Sequence, residues 1–155
     1  MKTILPVTLA AAFVIALTGC PALVCGGPDP AAISIEFTKL TEPLPNTGTV
    51  RITGMVTNIG LANYVSGPEQ QVVELLEDGK VVETTEFQNL AAGESVSVSH
   101  ERAWSTADEF QPDNYTVRIV YDPDIFMDGN VANDDCNMGN NSKTRDAQEI
   151  NALFF

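Results

Sequence analysis

The feature that most limits the fold of this chain is a pattern of short alternating runs from Ile33 onward. Apolar and polar residues alternate with a period of two, and turn residues interrupt the pattern at short intervals. Because successive side chains of a β-strand point to opposite faces, this pattern predicts strands and not helices. About seven runs in about 120 residues predict an all-β fold, an immunoglobulin-like or fibronectin type III-like antiparallel β-sandwich.

Two runs near the start of the pattern assign residues to faces of the predicted sheets. In the first run, Ile33, Ile35 and Phe37 share one face. In the second run, the residues predicted to point inward are Val50, Ile52 and Val56. Gly54 interrupts the second run, and a glycine inside a strand often marks a β-bulge, so we expect a bulge there.

Three further features complete the predicted sandwich. Asp78-Gly79 lies between two β-rich runs and predicts a tight hairpin, because both residues tolerate positive φ. Tyr115 opens a later strand at the position of a tyrosine corner, so we expect its hydroxyl to bond nearby backbone. The segment 142–155 is interpreted as an edge strand, with a tail docked by its apolar end as the alternative.

The acidic charge of the chain excludes nucleic acid as a partner. Eight Lys and Arg residues stand against 21 Asp and Glu residues, which gives a formal net charge of −13. Such a surface repels nucleic-acid phosphates and anionic lipid headgroups. It favours solubility and the capture of cations, and a solvated surface that avoids aggregation is the simpler interpretation.

The start of the chain predicts export and a lipid anchor. Lys2 precedes an apolar run over residues 4–17 that is too short for a comfortable membrane span. The following Leu-Thr-Gly-Cys, which ends at Cys20, resembles the bacterial lipobox, in which the cysteine is lipidated and becomes the mature N-terminus. We therefore predict a signal peptide over 1–19, a lipidated tether over 20–32 and one domain over 33–155. The alternative is an ordinary signal peptide.

The remaining cysteines form an even pair. If Cys20 carries lipid, Cys25 and Cys136 are left in an exported chain, where disulfides persist. We predict a Cys25–Cys136 disulfide. The alternative is two free thiols, because a sequence carries no distances.

The segment Asp122–Asn141 concentrates aspartate and asparagine near the end of the chain. Calcium takes six to eight oxygen ligands from carboxylates, amides and carbonyls, so this composition permits a calcium site. The candidate ligands are Asp122, Asp124, Asp128, Asn130, Asp134 and Asp135, with Asn133 beside them. The apolar residues 125–127 argue against an EF-hand loop, and we expect them to point inward. The alternative is a solvated loop whose Asp and Asn side chains bond their own backbone turns.

Several short motifs follow one another in a characteristic order. They are Asn58 and Gly60 of an Asn-x-Gly strand end, Leu90, Gly93 and Glu94 of a Leu-x-x-Gly-Glu turn, Tyr115 and Asp122 of a strand that closes on an aspartate, and Asn140 and Asn141 at the end of the acidic segment. In this order the motifs resemble the CARDB domain, the cell-adhesion-related domain found in bacteria. The resemblance covers the chain from about Ile33 to its end. It implies a sandwich displayed outside the cytoplasm as a spacer, adhesion or accessory module, and it implies no activity.

Few residues have the chemistry of an enzyme site. The single histidine, His100, precedes Glu101 on an alternating run. Because neighbours on a strand point to opposite faces, these two residues cannot form a catalytic base and its orienting carboxylate. One histidine and two further cysteines do not give a zinc site of the usual spacing. No glycine-rich phosphate loop follows a strand and opens a helix. We therefore expect that the protein is not an enzyme.

Together these features predict a lipid-anchored, exported, non-enzymatic binding or spacer module at the cell envelope. The expected partner is a protein bound through an edge strand or through the loops at one end of the sandwich. The alternative is a calcium-dependent carbohydrate-binding or adhesion module.

Overall fold

Two antiparallel sheets pack face to face in this protein, as seen in a computed structural model that describes residues 25–108 and 111–155. The strands are β1 (Pro30–Thr41), β2 (Thr47–Asn58), β3 (Tyr64–Val65), β4 (Gln71–Glu77), β5 (Lys80–Glu86), β6 (Asn89–Leu90), β7 (Ser95–Ser105), β8 (Asn114–Tyr121) and β9 (Ser142–Asp146). One sheet has the order β1-β2-β7, the other has the order β5-β4-β8-β9, and β3 pairs with β6. Three strands facing four confirm the predicted sandwich. The predicted signal peptide and Cys20 lie outside the described residues.

The core consists of the inward faces of the two sheets, as the alternation predicts. Val50, Ile52 and Val56 of β2 are fully buried in one cluster with Tyr115 and Val117 of β8. Full burial of an aliphatic side chain stabilises the folded state by roughly 1.5–3 kcal/mol relative to exposure. The meeting of these two apolar faces is therefore the main source of stability.

Strand β1 departs from the predicted pattern at Ile33. The pairing of β1 with β2 shifts register between Ala32 and Ser34, which is a β-bulge. Ile33 is 39% exposed, whereas Ala32 and Ile35 are buried. The prediction that Ile33 shares the face of Ile35 was wrong, because the extra residue turns its side chain outward.

The bulge predicted at Gly54 is absent, and a glycine is needed at this position for another reason. The pairing of β2 with β7 continues without a shift from Thr47 to Thr57. A Cβ placed on Gly54 would lie 2.7 Å from Val117 Cγ2 in the opposite sheet. Gly54 therefore lets the sheets approach closely at this point.

The hairpin predicted at Asp78-Gly79 is confirmed. Asp78 and Gly79 have φ of 48° and 79° between β4 and β5, as a two-residue turn of this kind requires. The Asp78 carboxylate also accepts hydrogen bonds from the backbone N–H groups of Asp113 and Asn114, at 2.8 and 3.0 Å. This contact ties the turn to the start of β8.

Tyr115 does not form the predicted tyrosine corner. Its hydroxyl donates to Glu77 Oε2 at 2.8 Å and not to backbone. Glu77 in turn forms an ion pair of 2.6 Å with Arg102. Because β4 lies beside β8 and carries Glu77 opposite Tyr115, a side-chain acceptor takes the place of a backbone carbonyl.

The C-terminal segment combines both predicted alternatives. Strand β9 pairs with β8 at the edge of the four-stranded sheet, so the edge strand is confirmed over Ser142–Asp146. The chain then forms a 3₁₀ helix over Ala147–Leu153 that buries Ile150, and Phe154 follows it into the core. In the two described ranges, no helix has the length and apolar character to cross a membrane.

Gly54→Ala tests the close approach of the sheets. The added methyl group overlaps Val117 in a packed core, so we expect a loss of about 1–3 kcal/mol in the free energy of unfolding. Urea unfolding followed by circular dichroism measures this loss. Gly26→Ala is the control, since a Cβ there meets no atom within 4 Å. Equal unfolding midpoints for the two variants would contradict the packing argument.

Candidate functional site

One end of the sandwich gathers the segments that carry the sequence motifs. Pro30 at the start of β1 pairs with Asn58 at the end of β2, and Tyr121 at the end of β8 pairs with Gln71. The N-terminal segment 25–29, the loop 59–63 and the loop 122–141 therefore meet at this end. We call these three segments the acidic end.

The predicted disulfide is present at the acidic end. Cys25 and Cys136 are joined with their Cα atoms 6.3 Å apart, across a sequence separation of 111 residues. The Cys136 N–H also donates to the Pro28 carbonyl at 3.1 Å. The N-terminal segment is thus fixed to the acidic loop, and β1 begins at Pro30, three residues inside the predicted tether. Proline is tolerated there because it is the first residue of an edge strand.

Asn58 joins two segments of the acidic end to strand β6 through four hydrogen bonds. Its Oδ1 accepts from the N–H groups of Asp29 and Gly60, at 3.0 and 3.1 Å. Its Nδ2 donates to the carbonyls of Ala62 and Leu90, each at 2.8 Å. Because Asn58 is fully buried, every polar atom of this amide is satisfied away from water.

Gly60 completes the Asn-x-Gly motif for a steric reason. A Cβ at this position would overlap the Gly27 carbonyl oxygen and lie 2.7 Å from the Asp29 nitrogen. The glycine thus allows the N-terminal segment to pass directly over the loop. The motif residues Asn58 and Gly60 have structural roles.

The acidic loop satisfies much of its own backbone with Asp and Asn side chains. Side-chain oxygens accept from the N–H two residues further on in the pairs 122→124, 128→130, 130→132, 135→137 and 137→139. These are Asx turns, which allow a loop to keep a fixed shape without strand pairing. This pattern agrees with the alternative of a loop that bonds its own turns.

The apolar residues within the loop were expected to point inward, and only one does. Ile125 is fully buried, whereas Phe126 and Met127 are 42% and 78% exposed. The three residues form a 3₁₀ turn, so their side chains point in three directions around its axis. The prediction was wrong for Phe126 and Met127.

The candidate calcium ligands divide among separate places. Exposed Asp122 and Asp124 lie together, and the contact with Asp122 raises the pKa of the Asp124 carboxyl. Asp128 accepts from Asn133 Nδ2 at 2.8 Å, and this hydrogen bond is the first cause of its lowered pKa. Asn130 bonds the Val65 carbonyl at 2.9 Å. Half-buried Asp134 and buried Asp135 follow in the loop.

No group of three or more His, Cys, Asp or Glu residues has the geometry to hold a metal ion within ranges 25–108 and 111–155. Calcium also accepts amide and backbone carbonyl oxygens as ligands. Calcium binding by the six predicted residues therefore stays a prediction.

Asp135 turns away from the other predicted ligands and into the protein. Its Oδ2 accepts from the Tyr121 hydroxyl at 3.0 Å, and burial is the largest cause of its raised pKa. Beside it lies Asp29, which is also buried and accepts from Asn140 Nδ2 at 2.9 Å. Asp29 falls within the predicted tether and was not among the predicted ligands. The paired Asn140 and Asn141 were the signal that pointed to this place.

A groove of about 680 Å³ lies beside the acidic end, along the last residues of β8. Its lining residues are Arg118, Ile119, Val120, Tyr121, Asp122, Pro123, Phe126, Met138 and Asn141. Among the described residues, the lining contains no histidine, cysteine, serine or lysine. His100 lies on β7 in the three-stranded sheet, where it pairs with Ile52 of β2.

The fold and the acidic end define an immunoglobulin-like antiparallel sandwich whose motif residues hold its loops together. More particularly, the CARDB family profile matches residues 33–145, and the chain belongs to that family. This match confirms the resemblance found in the sequence. No curated protein matches the chain significantly.

Two solved structures are similar to the chain. One is the NMR structure of the 272–376 domain named as a cell surface protein from Methanosarcina acetivorans, with 23% identity, coverage of 76% of this chain and 88% of that chain, and a TM-score of 0.42. The other is in the archaellum periplasmic stator complex of FlaF and FlaG from Sulfolobus acidocaldarius, with 14% identity, coverage of 72% and 91%, and a TM-score of 0.33. At these values neither likeness adds to the fold assignment.

Asn58→Ala tests whether this amide holds the acidic end together. The change leaves two buried N–H groups and two carbonyls without their partner, so we expect a loss of about 2–5 kcal/mol in unfolding free energy. Chemical denaturation measures it. Asn137→Ala is the matched control, because this exposed asparagine supports one Asx turn and its loss costs about 1 kcal/mol or less. A small effect of Asn58→Ala would show that the segments hold together without it.

The double variant Cys25→Ser, Cys136→Ser tests the disulfide. Closing a loop of this length stabilises the folded state by about 4 kcal/mol in the chain-entropy model, so the variant should unfold at clearly lower denaturant. Adding reductant to the unchanged protein should lower its stability by a similar amount. Reductant should leave the double variant unaffected, and a further loss there would point to a different cause.

Proposed function

We propose that the protein is a lipid-anchored, exported, non-enzymatic binding or spacer module at the cell envelope. Membership of the CARDB family supports a display or adhesion role. The same family membership supports a role without catalysis. The lipobox at Cys20 supports export and anchoring.

The observation that carries the proposal is the fixation of the N-terminal segment to one end of the sandwich. Cys25 lies five residues after Cys20 and is bonded to Cys136 in the acidic loop. A chain of this length spans at most about 18 Å when extended. A lipid on Cys20 therefore holds the acidic end close to the membrane surface.

This anchoring gives the domain an orientation. The turn at Asp78-Gly79 and the β1–β2 turn at residues 42–46 lie at the end opposite the acidic end. With the acidic end toward the membrane, these turns point away from it. The acidic charge is repelled by anionic headgroups, which keeps the domain off the lipid surface.

The surface that we propose for a protein partner is the outer edge of β5. In the part of the chain that the structure describes, β5 pairs with β4 alone. Its outer backbone groups are thus available to an extended segment of a partner, and Val81 on this strand is 45% exposed. The edge of β5 runs from the Asp78-Gly79 turn toward the acidic end. A partner protein therefore reaches it from the side of the domain that points away from the membrane.

Cys20→Ser tests the anchor. We expect the unchanged protein to fractionate with membranes and to gain the mass of its acyl chains, and the variant to be released into the soluble fraction. Cys25→Ser is the matched control, because it removes a nearby cysteine and keeps the lipid site, so it should stay in the membrane fraction. An unmodified mass for the extracted protein, or membrane retention of Cys20→Ser, would contradict the proposal.

A further inference from the structure

Two buried carboxylates at the acidic end have no positive partner among the residues that the structure describes. Asp29 and Asp135 are 5% and 7% exposed. The ion pairs formed by residues 25–108 and 111–155 involve other acids, and none includes either aspartate. A buried carboxylate is costly without a cation or a full set of donors. The cluster therefore has a deficit of positive charge.

The hydrogen bonds of the two aspartates come only from neutral donors. Asp135 accepts from the Tyr121 hydroxyl and the Asn137 N–H, each at 3.0 Å. Asp29 Oδ1 accepts from Asn140 at 2.9 Å, and no hydrogen bond to Asp29 Oδ2 is found in the described residues. Burial raises the pKa of Asp135, and the negative charge of Asp29 adds to this effect. The two carboxylates are close enough to repel each other.

A second observation, on the asparagine oxygens beside the aspartates, points to a ligand at this place. Asn141, which is 8% exposed, lies beside the Asp135 carboxylate, and its Oδ1 is buried without a hydrogen-bond partner among the described residues. The Asn140 amide, which bonds Asp29, also has a buried Oδ1 without a partner. Each unpartnered oxygen thus belongs to an amide that lies beside one of the two buried carboxylates. Buried acceptors without donors are rare and require an explanation.

The cluster therefore presents oxygen acceptors from four residues, and no ion pair of the described residues brings a cationic side chain to it. Asp29 and Asp135 supply carboxylate oxygens, and Asn140 and Asn141 supply amide oxygens. Hard divalent cations prefer this kind of oxygen set, whereas zinc prefers nitrogen and sulfur. Calcium tolerates an irregular arrangement and completes its shell with water or backbone carbonyls, whereas magnesium requires a near-ideal octahedron.

We propose that Asp29, Asp135, Asn140 and Asn141 form a calcium site that joins the N-terminal segment to the acidic loop. The site shares only Asp135 with the six ligands predicted from the sequence. It lies next to the disulfide, since Cys136 follows Asp135 in the chain, and it fastens the same two segments. Its existence does not depend on the lipid anchor or on a partner.

Thermal unfolding of the full-length protein, extracted in detergent, tests the site. Modules outside the cell bind calcium with dissociation constants of about 10⁻⁴–10⁻³ M, so about 10 mM CaCl₂ should raise the unfolding temperature by about 5 °C over EDTA. Asp135→Asn and Asp29→Asn should each abolish most of this shift. Asp124→Asn is the matched control, because it removes the same charge from the same loop and should keep the shift.

The direction of change in EDTA separates a ligand from a structural acceptor. As a calcium ligand, Asp135 is an uncompensated buried charge in EDTA, so Asp135→Asn should then be at least as stable as the unchanged protein. In calcium the order should reverse. A merely structural aspartate predicts that Asp135→Asn is the less stable protein in both conditions, and that result would overturn the proposal.

Terbium gives a direct measurement that needs no variant. Tyrosine transfers excitation energy to a nearby bound terbium ion, and the Tyr121 hydroxyl contacts Asp135. We expect terbium emission on excitation of tyrosine, and its loss when calcium is added. Absence of both this emission and the thermal shift would overturn the site. A calcium shift that Asp124→Asn abolishes and Asp135→Asn keeps would place the cation on the exposed acids and would also overturn it.

Discussion

The structure depends on the buried amide of Asn58 at the point where the two-sheet core meets its loops. The core itself forms from apolar faces, and their burial is the main source of its stability. The acidic end buries little apolar surface, since Ile125 is buried whereas Leu61 and Met127 are exposed, so a different interaction must fix it. Asn58 supplies this interaction by donating and accepting in one plane, which joins the N-terminal segment, the loop after β2 and the short strand β6. The disulfide then adds a covalent bond between the same N-terminal segment and the acidic loop.

Most of the sheet could be predicted from the sequence because its causes are local. Alternation is a property of neighbouring residues, and Asp78-Gly79 has the φ values that its own residue types permit. The features that were missed depend on residues distant in sequence. Gly54 is explained by Val117 in the other sheet, and the outward turn of Ile33 by a register shift against β2. The Tyr115 hydroxyl likewise finds its acceptor on another strand.

The candidate site shows the same division between local and distant causes. Composition identified the acidic loop, and the even cysteine pair identified the bond that fixes it. Composition alone cannot separate an aspartate that only caps its own turn from one that is also buried, because both lie in one acidic segment. Asp128 and Asp135 both bond the N–H two residues ahead, yet only Asp135 is carried inward, against Tyr121. Asp29 was missed because a glycine- and proline-rich stretch is typical of a linker, and this one is folded against Asn58.

We expect the acidic end to unfold together with the sandwich and not as an independent mobile loop. Native-state hydrogen exchange, measured by NMR on individual amides, tests this most directly. The amides of Asp29, Ile59 and Cys136, which donate to Asn58, Asp29 and Pro28, should be protected nearly as strongly as those of Ile52 in the core. Exchange of these three amides at the rate of the exposed Gly129 would contradict the account.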